Sequence, residues 1–142
     1  MSKTAFFWAI LTALIWGIVP VLEKIGLAKI NPSAGLLVRC CGVIVGAGIL
    51  LFFRFNSLKD QLSAITPQAL IFLLLGGFLA SFVGQLCFYR ALKTGSASAV
   101  VPIAAAYPLV SFVLALIFLG ERFTFLKLLG VSFVLFGITL LN

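Results

Sequence analysis

The stretch ALIFLLLGGFLASFVGQLCFY, residues 69–89, runs for 21 residues without a formal charge. A helix rises about 1.5 Å per residue, so this stretch is long enough to cross the roughly 30 Å hydrocarbon core of a bilayer. Of the 142 residues, 63% are hydrophobic and only 9% are charged. Soluble domains carry about 25% charged residues. The sequence therefore predicts an integral membrane protein.

Four further apolar runs have similar length. Residues 5–22 and 94–120 are uncharged, and residues 34–53 and 123–142 qualify if their single cations lie near the helix ends. We predict an all-α membrane protein with five transmembrane helices in one domain, residues 1–142. The predicted helices cover approximately residues 5–27, 33–53, 68–90, 96–119 and 124–142.

Several function classes are disfavoured by the composition. Histidine is absent, only three residues are acidic, and the three cysteines lack C-x-x-C spacing. We therefore expect no enzyme, no cofactor and no metal site. The net charge of +7 comes from single Lys and Arg residues at predicted helix ends, where anionic lipid headgroups rather than nucleic acid explain them.

The longest predicted loop, residues 54–68, contains SLKDQLSAI. Its apolar residues fall at i, i+4 and i+7, and Ser57 is a candidate N-cap. This pattern predicts a short helix lying on the membrane surface.

Positive charge is balanced between the two faces of the predicted bundle. With five membrane spans, five cationic residues lie on one face of the membrane: Lys3, Arg54, Lys59, Arg122 and Lys127. Four lie on the opposite face, with Arg39 just inside the membrane on that side: Lys24, Lys29, Arg90 and Lys93. The positive-inside rule normally gives a clear excess. Either the balance is counting noise in a small protein, or the chain inserts both ways and pairs with an inverted copy of itself.

Small residues mark the predicted helix faces. They recur at four-residue spacing in helices 2 and 3, which predicts close packing within the chain (Gly42 and Gly46; Gly76, Ala80 and Gly84). In the last helix, Gly130 and Gly137 lie two turns apart. We interpret them as a dimer interface, with packing inside one chain as the alternative.

Polar residues at membrane depth are candidate functional groups. Arg39 is costly there, and Glu23, at the same end, is its predicted partner. This contact is either structural or acts in gating or anion attraction, and Glu121 is a third candidate charge. Ser81 and Gln85, one turn apart in helix 3, need partners or water.

The fourth helix combines small residues with two prolines. Pro102 and Pro108 each free a carbonyl one turn earlier, and interrupted backbone at this depth lies against protein or a cavity. We predict a substrate pathway lined by Trp16, Ser81, Gln85, Ser98, Pro102, Tyr107 and Pro108. The alternative is a kinked helix in a static bundle.

Two segments resemble the halves of one known domain. LIWGIVPVLEKIGL (14–27), followed by Pro32 and Arg39, and YRALKTGSASAVVPIAAAYPLVSFVLALIFLGERFT (89–124) are similar to the EamA-type domain of the drug/metabolite transporter superfamily. The resemblance covers essentially the whole chain. It implies half of a ten-helix inverted-repeat fold, completed by an antiparallel homodimer, as in the small multidrug resistance proteins.

The resemblance also implies a function. It indicates a transporter in the plasma or inner membrane that moves a small organic metabolite by alternating access. The helix-1 carboxylate of the small multidrug resistance proteins aligns with Trp16 here, so we expect a neutral or zwitterionic, amino-acid-like substrate. The alternatives are a subunit of a lipid-linked-sugar flippase and a structural membrane protein without transport.

We predict dual topology from the charge balance. C-terminal reporter fusions should give both cytoplasmic and external signals, and moving one or two lysines should bias the mixture strongly. A wild-type reporter found on one side only would contradict this prediction.

Overall fold

The computed structural model describes residues 3–140, all of whose regular structure is helical. The helices are α1 Lys3–Gly26, α2 Pro32–Ser63, α3 Pro67–Phe78, α4 Gln85–Thr94, α5 Ala97–Ala104, α6 Tyr107–Phe118 and α7 Phe125–Thr139, with a π-helical turn at Leu79–Gly84 between α3 and α4.

These helices form the long apolar segments that the sequence predicts. Within residues 3–140, four segments are long and apolar enough to cross a bilayer: Lys3–Gly26, Pro32–Ser63, Pro67–Thr94 and Ala97–Phe118. The fifth, Phe125–Thr139, has 15 residues. The last two residues of the predicted fifth helix, 141–142, lie outside the described residues. The chain is an all-helical integral membrane protein with four to five long apolar helices.

Two helices begin with the same local device. Asn31 accepts a hydrogen bond from the Ala34 amide at 2.8 Å, and Pro32 follows as the first helical residue. Thr66 accepts one from the Ala69 amide at 3.3 Å, ahead of Pro67. A capping side chain satisfies an otherwise unpaired amide, and proline at the first position has no amide to lose.

The predicted separate surface helix is wrong. Residues 57–63 are helical, but they continue α2 without a break, and α2 ends only at Ser63. Neither glycine nor proline occurs between Arg54 and Ile65 to interrupt the helix, so the first stop is the Thr66-Pro67 cap.

The proline-containing helix is interrupted, as its sequence predicts. Helix α5 ends at Ala104, α6 starts at Tyr107, and the two residues between them are not helical. Pro108 cannot donate to the carbonyl one turn earlier, which weakens helix continuation there. Gly120, after α6, has φ 62°, a left-handed conformation that glycine adopts without a steric penalty.

The structure divides into two compact units, one formed by Leu22–Lys93 and the other by the residues on either side. Four large hydrophobic side chains of the Leu22–Lys93 unit are buried: Leu27, Leu36, Tyr89 and Leu92. Most other large apolar side chains of the described chain are exposed, as expected where lipid replaces water around a membrane helix.

Two side chains of this unit pack closely against the backbone of Gly35. A Cβ there would lie 2.6 Å from Leu27 Cδ2 and 3.4 Å from the Tyr89 ring. The predicted close packing at Gly42, Gly46 and Gly76 is wrong, because nothing lies within 4 Å of a Cβ at these positions. Gly130 and Gly137 are equally open.

A bulky residue at position 35 should destabilise the protein. Gly35→Leu must displace Leu27 and the Tyr89 ring, and overpacking of this kind costs about 1–3 kcal/mol. Gly42→Leu enters open space on the same helix and serves as the control. We expect a lower midpoint of thermal unfolding in detergent for Gly35→Leu only; equal midpoints would contradict the packing at Gly35.

Candidate functional site

The candidate site is centred on the carboxylate of Glu23, near the end of α1. Its Oε1 accepts hydrogen bonds from Gln85 Nε2 and from the Tyr89 hydroxyl, each at 2.9 Å. Gln85 and Tyr89 lie one turn apart on α4, so both side chains point from the same helix face to the same oxygen. We call Glu23, Gln85, Tyr89 and Arg39 the Glu23 cluster.

Arg39 joins the cluster from α2. Its Nε lies 3.5 Å from Glu23 Oε1, and its Nη1 lies 3.5 Å from the Ser81 carbonyl oxygen. The predicted contact between Glu23 and Arg39 is therefore present. Arg39 sits two turns inside α2, where a charge without a partner would be costly.

Burial makes this cluster different from a surface ion pair. The Glu23 side chain is 10% exposed and Tyr89 is 3% exposed, whereas Arg39 keeps 31% of its surface. The hydrogen bonds from Gln85 and Tyr89 and the ion pair with Arg39 all use Oε1 of Glu23. Among the described side chains, Oε2 of Glu23 is buried without a hydrogen-bond partner. A buried acceptor without a donor is unfavourable, so this oxygen is the one unsatisfied position of the cluster.

Ser81 and Gln85 reach the site through different atoms. Gln85 uses its side chain, whereas Ser81 contributes its backbone carbonyl from the π-helical turn Leu79–Gly84. Such turns often occur at functional sites because they change which groups face a neighbouring helix.

Two lysines connect the C-terminal regions of α1 and α4 in the Leu22–Lys93 unit. Lys24, on α1, donates to the carbonyl of Leu92 near the end of α4. Lys93, on α4, donates to the carbonyls of Leu27, Ala28 and Ile30 at 2.5, 3.1 and 3.0 Å. Lys24 thus satisfies a carbonyl near the C-terminal end of α4, and Lys93 satisfies carbonyls of the turn that follows α1. Each charge lies near the C-terminal end of the other helix and complements its dipole. A cavity of about 150 Å³ lies between them.

The other predicted pathway residues belong to the second unit. Trp16 and Tyr107 are 62% and 57% exposed. Ser98 donates to the Ser96 hydroxyl at 3.3 Å, Pro102 lies inside α5, and Pro108 lies in the first turn of α6.

Glu121 also lies in the second unit, where it pairs with Lys127 at 3.1 Å. Both side chains are 50% exposed. This solvent-accessible pair contrasts with the buried carboxylate of Glu23.

Sequence reasoning missed Tyr89 and the roles of Lys24 and Lys93. Tyr89 was detectable, because it lies one turn beyond Gln85 on the same helix face. The lysine contacts depend on which helix ends meet, which spacing along the chain does not give.

Apolar helices of this length, with a buried charged cluster near one end, define a multi-pass integral membrane protein. The profile of the EamA-like transporter family matches residues 3–142. The chain belongs to this family of membrane transporters, whose members are in general not enzymes. A lipid bilayer surrounds such a protein, and a small molecule is the expected cargo.

Three relatives are similar over most of this chain. An uncharacterised transporter from Sinorhizobium sp. is 32% identical over 99% of this chain and 98% of its own length. An uncharacterised protein from Methanocaldococcus jannaschii is 29% identical over 98% and 96%. An uncharacterised transporter from Clostridium kluyveri is 26% identical over 92% of this chain but only 41% of its own length. No solved structure matches significantly.

Removing the Glu23 carboxylate should destabilise the protein more than removing Glu121. Glu23→Ala leaves Gln85 and Tyr89 without their acceptor and Arg39 without its counter-ion, a loss of about 1–3 kcal/mol for partly buried groups. Glu121→Ala breaks an exposed pair, typically a change of about 0–1 kcal/mol. Thermal unfolding of both variants in the same detergent measures the difference. Equal midpoints would show that the Glu23 cluster adds no stability.

Proposed function

We propose that this protein transports a small organic metabolite across the cell membrane, and that the Glu23 cluster acts as a gate near one end of the pathway. The observation that carries the proposal is the buried carboxylate, which joins three helical segments through Gln85, Tyr89 and Arg39. Ionisable residues within membrane segments usually mark substrate or ion pathways.

A gate must close firmly and still release. Gln85 and Tyr89 donate hydrogen bonds to Glu23 Oε1 and Arg39 pairs with it, while Oε2 remains unsatisfied. The hydrogen bonds favour the closed cluster, whereas the unsatisfied oxygen disfavours it. In the proposed mechanism, a donor group of the substrate binds Oε2 as the cluster opens, and this favours the open arrangement.

The charges around the cluster favour a zwitterionic, amino-acid-like substrate. Glu23 is the acid at this end of the Leu22–Lys93 unit, and its free oxygen suits an ammonium or hydroxyl donor. Arg39 remains partly exposed and can attract a carboxylate. A substrate with both groups would match both charges.

The interrupted helix of the second unit suits a pathway wall. We propose that Ser98, Pro102, Tyr107 and Pro108, together with Trp16, line the substrate pathway. The break between α5 and α6 provides the irregular backbone that transporters place beside a central site. Ser81 and Gln85 are the proposed pathway residues of the Leu22–Lys93 unit.

We further propose that two antiparallel copies form one transporter working by alternating access. The Clostridium kluyveri transporter is more than twice as long as the region aligned with this chain, whereas two other relatives have this chain's length. One chain then supplies half of the helices. On α7, Gly130 and Gly137 leave room for close approach, and an apolar recess of about 320 Å³ lies beside Phe133 and Phe136.

Reconstituted protein should transport a zwitterion in a Glu23-dependent manner. In proteoliposomes, we expect uptake of one or more radiolabelled amino acids, but not of the matching amines or carboxylic acids alone. Glu23→Gln should reduce the initial rate about tenfold or more, corresponding to about 1.4 kcal/mol or more. Glu121→Gln is the matched control and should retain wild-type rates.

Three results would contradict this proposal. Equal initial rates of uptake for Glu23→Gln and wild type would contradict the gating role of Glu23. Uptake of amines alone would remove the zwitterionic substrate. Movement of a lipid-linked sugar between leaflets, without uptake of soluble metabolites, would favour the flippase alternative.

A further inference from the structure

The π-helical turn Leu79–Gly84 lies immediately before Gln85, which is the first of the two residues of α4 that donate to Glu23. A π-helical turn bonds residue i to i+5 instead of i+4, so it holds one more residue than an α-helical turn. In a continuous α-helix, each side chain beyond this point would have a fixed direction relative to α3. The π-helical turn rotates all of these side chains about the helix axis by the angle of one residue.

This rotation decides which residues face Glu23. One residue corresponds to about 100° around a helix. If residues 67–94 formed an unbroken α-helix, Gly84 would take the angular position now held by Gln85, and Phe88 that of Tyr89. Glycine and phenylalanine provide no side-chain hydrogen-bond donor, so Glu23 would lose both bonds from this helix.

Gly84 ends this turn at a position where a side chain fits poorly. A Cβ on Gly84 would lie 3.0 Å from the Leu79 carbonyl oxygen, a backbone atom five residues earlier. Beyond the backbone of the adjacent helical turns, nothing lies within 4 Å of a Cβ on Gly76 or Gly77 in the preceding helix. A methyl group at position 84 would therefore make a tight contact that the Leu79 carbonyl relieves only by moving a few tenths of an ångström.

We propose that Gly84 is a positioning residue, which admits the π-helical turn and thereby sets Gln85 and Tyr89 in register with Glu23. It acts through the backbone and contacts no substrate. The proposal rests on the proposed function only in treating this cluster as a gate; the register itself is a structural property that can be measured without transport.

The two tyrosines of the chain, Tyr89 and Tyr107, allow a direct test by ¹⁹F NMR. The full-length protein is labelled with 3-fluorotyrosine in lipid nanodiscs, and the resonances are assigned with Tyr89→Phe and Tyr107→Phe. Dissolved oxygen enhances the relaxation of exposed fluorines. Buried Tyr89 should respond weakly and exposed Tyr107 strongly.

Gly84→Ala should change the Tyr89 resonance selectively. We expect its response to oxygen to rise towards that of Tyr107, because the α-helical register turns the ring away from Glu23. Gly77→Ala, in the same helical segment, is the matched control and should leave both resonances unchanged. An unchanged Tyr89 resonance in Gly84→Ala would overturn the proposal.

Two compensating variants separate a register change from general damage. The triple variant Gly84→Gln/Phe88→Tyr/Tyr89→Phe places both donors where an α-helical register would need them, so the tyrosine at position 88 should be protected. A variant lacking Val83 removes the extra residue of the turn, so Tyr89 should remain protected in a continuous α-helix. Exposure of the tyrosine in both variants would overturn the proposal, even if Gly84→Ala itself does not fold.

Discussion

Polar groups within a bilayer have no water to bind, and this constraint shapes the Leu22–Lys93 unit. Arg39 can lie two turns inside α2 because Glu23 and the Ser81 carbonyl lie beside it. The carboxylate in turn depends on Gln85 and Tyr89. One buried acid therefore fixes how α1, α2 and α4 pack near this end.

The same constraint explains why the buried core is small. Lipid surrounds most apolar side chains, so burying them between helices gains little compared with a soluble protein. The buried side chains of Leu27 and Tyr89 pack against Gly35, and Tyr89 also belongs to the polar cluster. In this unit, packing and polar contacts are concentrated at one place, and the remaining helix surface is left for lipid or a partner.

The sequence was sufficient for the features that depend on local chemistry. Uncharged runs predicted the long helices, and Pro102 and Pro108 predicted the interruption between α5 and α6. The Glu23–Arg39 contact followed from charge and depth. The π-helical turn does not follow from the sequence, since no residue pattern marks it. The turn sets the helical register that brings Tyr89 to Glu23. The sequence does not indicate the full length of α2, because the amphipathic spacing at its end is equally typical of a separate surface helix.

The exchanged lysines have a mechanical consequence. Lys24 binds a carbonyl near the end of α4, and Lys93 binds carbonyls of the turn that follows α1, so separating these two regions would leave carbonyls of both without their lysine donor. We therefore expect the C-terminal ends of α1 and α4 to move together. Within the Leu22–Lys93 unit, α2 meets these helices through Gly35, which lies against Leu27 and Tyr89, and through the 3.5 Å contact of Arg39 with Glu23. Moving α2 away would therefore require another partner for Arg39.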